Sequence, residues 1–168
     1  MTAIELIHAL AVAVEGALKN YEFEADNHPH KPFTVYEQHV PKAHLENRQG
    51  KYHPLVAVAL DSIEDDEDAI AELGLTFAVY GEADDTWRDL LNAMETVRLE
   101  LLARPTLEHK YRLIKPMETT LAEVQPAPFF YGLMTVRYQM YQPEEEINIS
   151  VKRVGGKRKW QHIDTGST

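Results

Sequence analysis

The side chains whose types and spacing could do chemistry are histidines and carboxylates in two segments. His28 and His30 flank a proline and follow Asp26 closely, and imidazoles with a carboxylate can hold a metal ion. Their spacing matches none of the usual metal motifs and no second ligand group is obvious, so we interpret the pair as part of an exposed loop.

The second segment runs from Asp61 to Asp68, and six of its eight residues are carboxylates. Calcium binding of the EF-hand type would need a central glycine and a glutamate at the twelfth position, and the segment has neither. We interpret it as a solvated hairpin turn that faces a basic partner. The candidate contact residues in this acidic loop are Glu64, Asp65, Asp66, Glu67 and Asp68.

Nucleophilic and phosphate-binding motifs are missing from the sequence. The chain has no cysteine, which excludes thiolate chemistry and fits a reducing compartment. No serine lies in a Gly-x-Ser-x-Gly elbow, and the stretch from Gly155 to Arg158 lacks the remaining glycine and the Ser or Thr of a phosphate loop. The sequence therefore predicts no catalytic residue, no bound metal and no cofactor, and it favours a binding or assembly component over an enzyme.

The charge is distributed unevenly along the 168 residues. Residues 151–168 carry five basic side chains and one acidic one, a charge of +4, whereas the other 150 residues sum to −14, giving −10 in total. An acidic body argues against wrapping nucleic acid, because that binding relies on many contacts from Lys and Arg to phosphates. It could instead complement a basic partner or another copy of this chain. The candidate interface residues in the basic segment are Lys152, Arg153, Lys157, Arg158 and Lys159.

No run of about 18 apolar residues occurs, so no membrane span is predicted. The first residues also lack the basic and continuous apolar regions of a signal peptide, and the cytoplasm is the expected place of synthesis.

Hydrophobic periodicity predicts an α+β domain organised around residues 54–105. Leu55–Leu60 is a continuous apolar run, typical of a strand covered on both faces, and Ala69–Tyr80 alternates like an antiparallel strand packed on one side. With the acidic turn between them, the two strands form a hairpin. The following segment repeats apolar residues at helical spacing up to Pro105, and this stripe is predicted to be core that covers the hairpin. Its members are Trp87, Leu90, Leu91, Met94, Val97, Leu101 and Leu102.

The remaining elements complete the predicted domain. A helix from Thr2 to about Lys19 begins with a capping box, and a strand follows at Phe33–Val40. Residues 41–53 are predicted to be a long exposed excursion, residues 111–114 and 117–124 two short strands, and residues 129–142 a long final strand. The predicted fold is thus a mostly antiparallel sheet of four to five strands against two helices in residues 1–142, with an extended basic arm at residues 143–168.

One face of the final strand predicts an interface. Its side chains are too polar for a core and too aromatic for an ordinary surface. The candidate subunit or partner contacts on this face are Tyr131, Leu133, Arg137 and Tyr141.

The order of these elements resembles the tail terminator (tail completion) proteins of long-tailed bacteriophages. The resemblance is carried by the first helix, a strand ending at Val40-Pro41, and the Pro54–Val58 strand that leads into the acidic turn. It continues through the Leu73–Tyr80 strand, the helix that begins Asp85-Thr-Trp-Arg and the closing strand Tyr131–Tyr141. It covers about residues 1–142, and the arm at 143–168 falls outside it.

The resemblance implies a virion protein without enzymatic activity that forms a homohexameric ring at the head-proximal end of the tail tube. Such rings stop tube polymerisation and present a surface to the head. The implied partners are other copies, the tail tube protein and the head–tail connector or neck proteins, with assembly in the host cytoplasm and no membrane contact. Genome DNA would pass nearby without specific binding, and an acidic wall would repel its phosphates. Two alternatives stay open: another neck or tail-tube component, and a small metal-dependent enzyme that uses His28, His30 and the carboxylates of residues 61–68.

Overall fold

The computed structural model describes residues 2–21 and 31–143, together with the backbone of residues 153–154 and 157–158. Its main feature is a six-stranded sheet in the order β1-β2-β3-β6-β5-β4. The strands are β1 (Thr34–Glu37), β2 (Leu55–Asp65), β3 (Ala69–Tyr80), β4 (Thr106–Leu107), β5 (Tyr111–Leu121) and β6 (Phe129–Met140). All neighbours are antiparallel except β1 and β2, which are parallel.

This architecture confirms the α+β fold and corrects the number and bounds of the strands. The two short strands predicted at 111–114 and 117–124 are one strand, β5, whose register against β6 shifts between Ile114 and Glu118. A proline at 116 interrupts the pattern but does not end the strand, because the shift in register accommodates a residue without an amide hydrogen. The two-residue strand β4 brings the sheet to six.

Three helices occur in the described residues: α1 (Ala3–Leu18), α2 (Lys42–Leu45) and α3 (Thr86–Ala103). The predicted capping box of α1 is confirmed, since the Thr2 hydroxyl accepts from the Glu5 amide and the Glu5 carboxylate accepts from the Thr2 amide. Helix α3 ends just before Pro105, as predicted. Helix α1 packs on β1, β2 and α3, and α3 packs on β3 and β6, so both long helices cover the same face of the sheet.

The core between helices and sheet is built from the predicted alternation of β3 and a narrower helical stripe than predicted. The alternating β3 residues 71, 73, 75, 77 and 79 are all buried. On α3 the buried apolar positions are Leu90, Ala93, Met94, Val97 and Leu101. The prediction that Trp87 and Leu91 are core is wrong: Trp87 is 43% exposed and Leu91 39%. Trp87 lies in the first helical turn, where its ring contacts the Arg88 guanidinium instead of the sheet, and Leu91 lies at the flank of the stripe.

The hairpin of β2 and β3 is confirmed, but β2 is longer than predicted. It continues through Asp65, so the turn is confined to residues 66–68. The expected cover on both faces of Leu55–Leu60 holds at Leu55, which is 2% exposed, and is partial at Ala57 and Ala59, which are half-buried. Beyond the predicted strand, every residue from Asp61 to Asp65 is exposed. Acidic side chains can occupy these strand positions because nothing in the described part of the chain packs over them and water solvates their charges.

Candidate interaction face

The sheet face opposite the two long helices, called the outer face here, is open in its middle. Strand register places Ala57, Thr76 and Leu133 side by side on this face in β2, β3 and β6. Thr76 is exposed, Ala57 is half-buried, and Leu133 is 42% exposed although it lies on a central strand. An exposed leucine in the middle of a sheet indicates a surface suited to a partner.

Three of the four candidate residues from the final strand lie on the outer face. Tyr131 pairs with Ala78, Leu133 with Thr76, and Arg137 with Glu72, which gives an opposite-charge pair across β3 and β6. The fourth candidate, Tyr141, follows the end of β6 and is 60% exposed. Tyr131, Leu133 and Arg137 therefore form a band along one strand, and the contact of the four candidates with a neighbour stays a prediction.

Next to this band, Gly74 has no Cβ and so leaves room on the outer face for the Asp61 carboxylate. A Cβ on Gly74 would come within 2.9 Å of the Asp61 carboxylate, so the carboxylate lies over the glycine. Asp61 occupies the point where the register between β2 and β3 shifts by one residue. A negative charge thus lies beside the apolar centre of the face.

An aromatic cluster covers the end of the outer face that lies away from the β2–β3 turn. Its members are His53, Tyr80, Phe129 and Tyr131. The ring centroid of Phe129 lies 4.9 Å from that of His53, 5.2 Å from that of Tyr80 and 6.4 Å from that of Tyr131. Gly50 adopts a φ of 67° and lies directly against the Tyr80 ring, where a Cβ would collide. His53 is 6% exposed, and its Nδ1 has no hydrogen-bond partner among the described residues. Burial lowers the pKa of His53, which favours the neutral imidazole.

Residues 41–53 are mostly exposed, as predicted, but the segment is packed against the domain by its own aromatic rings. The segment contains α2, and the His44 ring stacks on Tyr52 at 3.8 Å and forms a 2.8 Å hydrogen bond with the Tyr36 hydroxyl. Its charged side chains point into solvent while Gly50 and His53 are buried. The signal in the sequence was the dipeptide Tyr52-His53, which lies just before Pro54 and β2. It supplies two aromatic rings to a segment that is otherwise polar.

Two glutamines hold the backbone at opposite ends of the sheet. The Gln125 side chain accepts from the amide of Tyr131 (2.7 Å) and donates to its carbonyl (3.0 Å). The Gln38 side chain accepts from the amide of Leu60 (3.1 Å) and donates to its carbonyl (3.4 Å). Each amide side chain thus satisfies one residue of a strand as a neighbouring strand would. Sequence reasoning did not identify either glutamine, and no sequence signal marks them.

The acidic candidates lie at the tip of the β2–β3 hairpin. Glu64 and Asp65 are exposed residues of β2, and Asp66, Glu67 and Asp68 form the turn. The end of β6 is fastened to this tip, because Gln139 Nε2 donates to Asp68 (2.8 Å) and Gln142 Nε2 donates to the Asp66 carbonyl (3.2 Å). In the described ranges, no group of three His, Asp or Glu side chains is arranged to hold a metal ion.

The other candidates fall wholly or partly outside the described residues. The backbones of Arg153, Lys157 and Arg158 belong to a separate two-stranded antiparallel sheet of β7 (Arg153–Val154) and β8 (Lys157–Arg158). Lys152 and Lys159 lie outside the described residues, as do His28, His30 and Asp26.

Comparisons with known proteins find likeness in solved structures but not in sequence families. No protein-family model and no curated protein matches the sequence. Among solved structures, the chain is similar to a chain of the virion of a native gene transfer agent (GTA) particle, with 16% identity and a TM-score of 0.41 over 83% of this chain and 98% of that one. Within the described residues, no helix has the length and apolar character needed to cross a membrane.

Proposed function

We propose that the chain is a structural subunit of a bacteriophage neck that caps the tail tube as a homohexameric ring. The ring would stop tube polymerisation and offer its other side to head-connector or neck proteins. The resemblance in element order to tail terminators supports this role. The observation that carries it is the open outer face: both long helices cover one side of the sheet, and the other side leaves Leu133 exposed on a central strand.

A ring needs two different patches on each subunit, because a head-to-tail contact closes only when one patch meets the other on the next copy. The band of Tyr131, Leu133 and Arg137 is the first patch. The second is the surface of residues 41–53, which the aromatic cluster fixes against the sheet at the end of the same face. Because both patches belong to rigid elements, a ring could form without large rearrangement.

The charge of the chain fits the same role. A body of −14 would present a wall that repels DNA phosphates, which suits a conduit through which a genome passes without being bound. The basic residues 151–159 would then contact acidic surfaces of neighbouring protein subunits.

The test compares assembly of the wild type with that of Leu133→Glu. Light scattering should give six copies of the 19.2-kDa chain for the wild type at low salt, with a smaller mass as salt rises. Leu133→Glu should reduce the ring to smaller species, because it places a charge in the centre of the contact. Leu121→Glu is the matched control: Leu121 is 41% exposed, nearly as much as Leu133, but lies at the end of β5 on the edge side of the sheet.

Position in the particle is the second measurement. Labelled chain should appear at the head–tail junction in six copies, and particles without it should carry tubes of irregular length. A different copy number at the junction would indicate another neck component. A ring that persists in Leu133→Glu would remove the outer face from the contact.

A further inference from the structure

The outer edge of β2 has an unpaired stretch of strand. Strand β2 is 11 residues long, yet β1 pairs only with Leu55–Val58. Gln38 then satisfies the two backbone groups of Leu60, and its φ of 66° turns the chain away from the edge. From Asp61 to Asp65 no strand among the described residues pairs with this side of β2. We call residues 61–65 the open edge.

An unpaired strand edge is a template for strand addition, since its free amide and carbonyl groups can accept another strand. The open edge is also chemically selective. Asp61, Glu64 and Asp65 lie along it with Ile63, whose side chain is 43% exposed, and three more carboxylates follow in the turn. Such an edge would repel acidic strands and would favour a basic one.

The chain itself contains a basic pair of strands. Strands β7 and β8 contribute two residues each and form a sheet of their own, and three of these four residues are Arg153, Lys157 and Arg158. A two-stranded ladder of this length is not stable in water by itself, and a third strand would extend it. We call the paired residues 153–154 and 157–158 the basic hairpin.

We propose that the basic hairpin of one copy adds to the open edge of a second copy, extending its sheet beyond β2. The inference deepens the proposed function and rests on it only in taking the second copy to be a neighbour in the assembly. Backbone pairing supplies the geometry, and opposite charges select the partner. The nine residues between Pro143 and Arg153 can span up to about 35 Å, enough to reach a neighbouring subunit.

Charge also explains why the partner is a second copy and not the same chain. Gln139 and Gln142 fasten the end of β6 to the acidic tip. Glu144, Glu145 and Glu146 follow directly in the sequence, so a path from Gln142 back over the tip would bring these three carboxylates towards those of Asp66, Glu67 and Asp68. Like charges repel, which disfavours the open edge of the same subunit as the docking site.

The test uses reciprocal charge reversal in the full-length chain. The edge variant is Glu64→Lys with Asp65→Lys, and the arm variant is Lys157→Glu with Arg158→Glu. Either variant alone should associate about tenfold or more weakly than the wild type, since each replaces two exposed attractive pairs by repulsive ones. An equimolar mixture should recover association, because the basic arm of the edge variant meets the acidic edge of the arm variant, and the reversed pair also matches.

Glu15→Lys with Glu123→Lys is the matched control for the edge variant, because it raises the net charge by the same four units (2 for each substitution) at exposed sites away from the edge. It should associate like the wild type. Amide hydrogen exchange tests the mode of contact: exchange within residues 61–65 should slow in wild-type assemblies and in the mixture, and not in either variant alone.

Four outcomes would overturn the inference. The first three are a wild type that stays monomeric, a mixture that stays as weak as the single variants, and recovered association without slower exchange at 61–65. Recovery only when all four substitutions lie in one chain would show docking within a subunit and would also overturn it. If the chain is found away from the head–tail junction while reciprocal pairing holds, the proposed function fails alone. If it lies at the junction without reciprocal pairing, this inference fails alone.

Discussion

Gly50→Ala should detach part of residues 41–53 from the outer face. Gly50 has a φ of 67°, and a Cβ there would collide with the Tyr80 ring. A non-glycine residue in the left-handed region costs about 1–2 kcal/mol, and overpacking, here against the half-buried Tyr80 ring, costs typically about 1–3 kcal/mol. The substitution should therefore lower the free energy of unfolding by about 2–5 kcal/mol.

Urea unfolding followed by circular dichroism measures this loss, and amide exchange locates it. If the segment lifts locally, exchange at residues 50–55 should rise first, because His53 and Leu55 lose their cover. Gly16→Ala is the control. It adds a Cβ with nothing within 4 Å, inside α1, and should raise stability by up to about 1 kcal/mol. A Gly50→Ala protein within about 0.5 kcal/mol of the wild type, the usual range for an inert surface site, would refute this account of the aromatic cluster.

Three further predictions concern single side chains. Trp87→Ala should lower the free energy of unfolding by no more than about 1 kcal/mol, because the ring is 43% exposed. Leu90 is fully buried on the same helix, so Leu90→Ala should lower it by about 2–5 kcal/mol in urea unfolding. Equal losses would contradict the burial pattern. Tyr138→Phe should raise stability by about 1 kcal/mol, because the buried hydroxyl has no hydrogen-bond partner among the described residues; a loss of that size would reveal a partner. Burial lowers the pKa of His53, so its contribution to stability should be present above about pH 6.5 and be lost as the pH falls through the lower folded value. A hydrogen bond to a carboxylate at the end of β1 raises the pKa of His8, so its contribution should be present below about pH 6.5 and be lost as the pH rises through the higher folded value. The free energy of unfolding should be measured between pH 5 and 8. His53→Gln should flatten the pH dependence assigned to His53, and His8→Gln should flatten the one assigned to His8. An unchanged pH dependence in both variants would contradict both assignments.

Elements whose signals lie within a few residues were predictable from the sequence. The alternation of Ala69–Tyr80 fixes a strand with one buried face, because successive side chains of a strand point to opposite sides. The Thr2–Glu5 capping box marks the start of α1, and Pro105 marks the end of α3. The split of the final strand into a core face and an outer face follows from the same period of two.

The candidate face was predictable only in part. Tyr131, Leu133 and Arg137 share a face by simple parity. The open edge was not visible in the sequence, because it depends on β1 being four residues long and on Gln38 ending the pairing at Leu60. A solvated turn was predicted at 61–68 because six carboxylates cannot be buried, but residues 61–65 belong to β2, where solvated charges are tolerated on an edge that no described residue covers.

The sequence by itself therefore determined the types of the main elements, the alternation of their faces and the contrast between an acidic body and a basic C-terminal segment. Tertiary structure decided how each face is used. Trp87 and Leu91 have the spacing of core residues but lie where the sheet does not cover them. His53 lies in a polar segment but is buried against Phe129, a residue far away in the sequence. Periodicity reports which side chains share a face, and burial depends on elements far away in the chain that cover it.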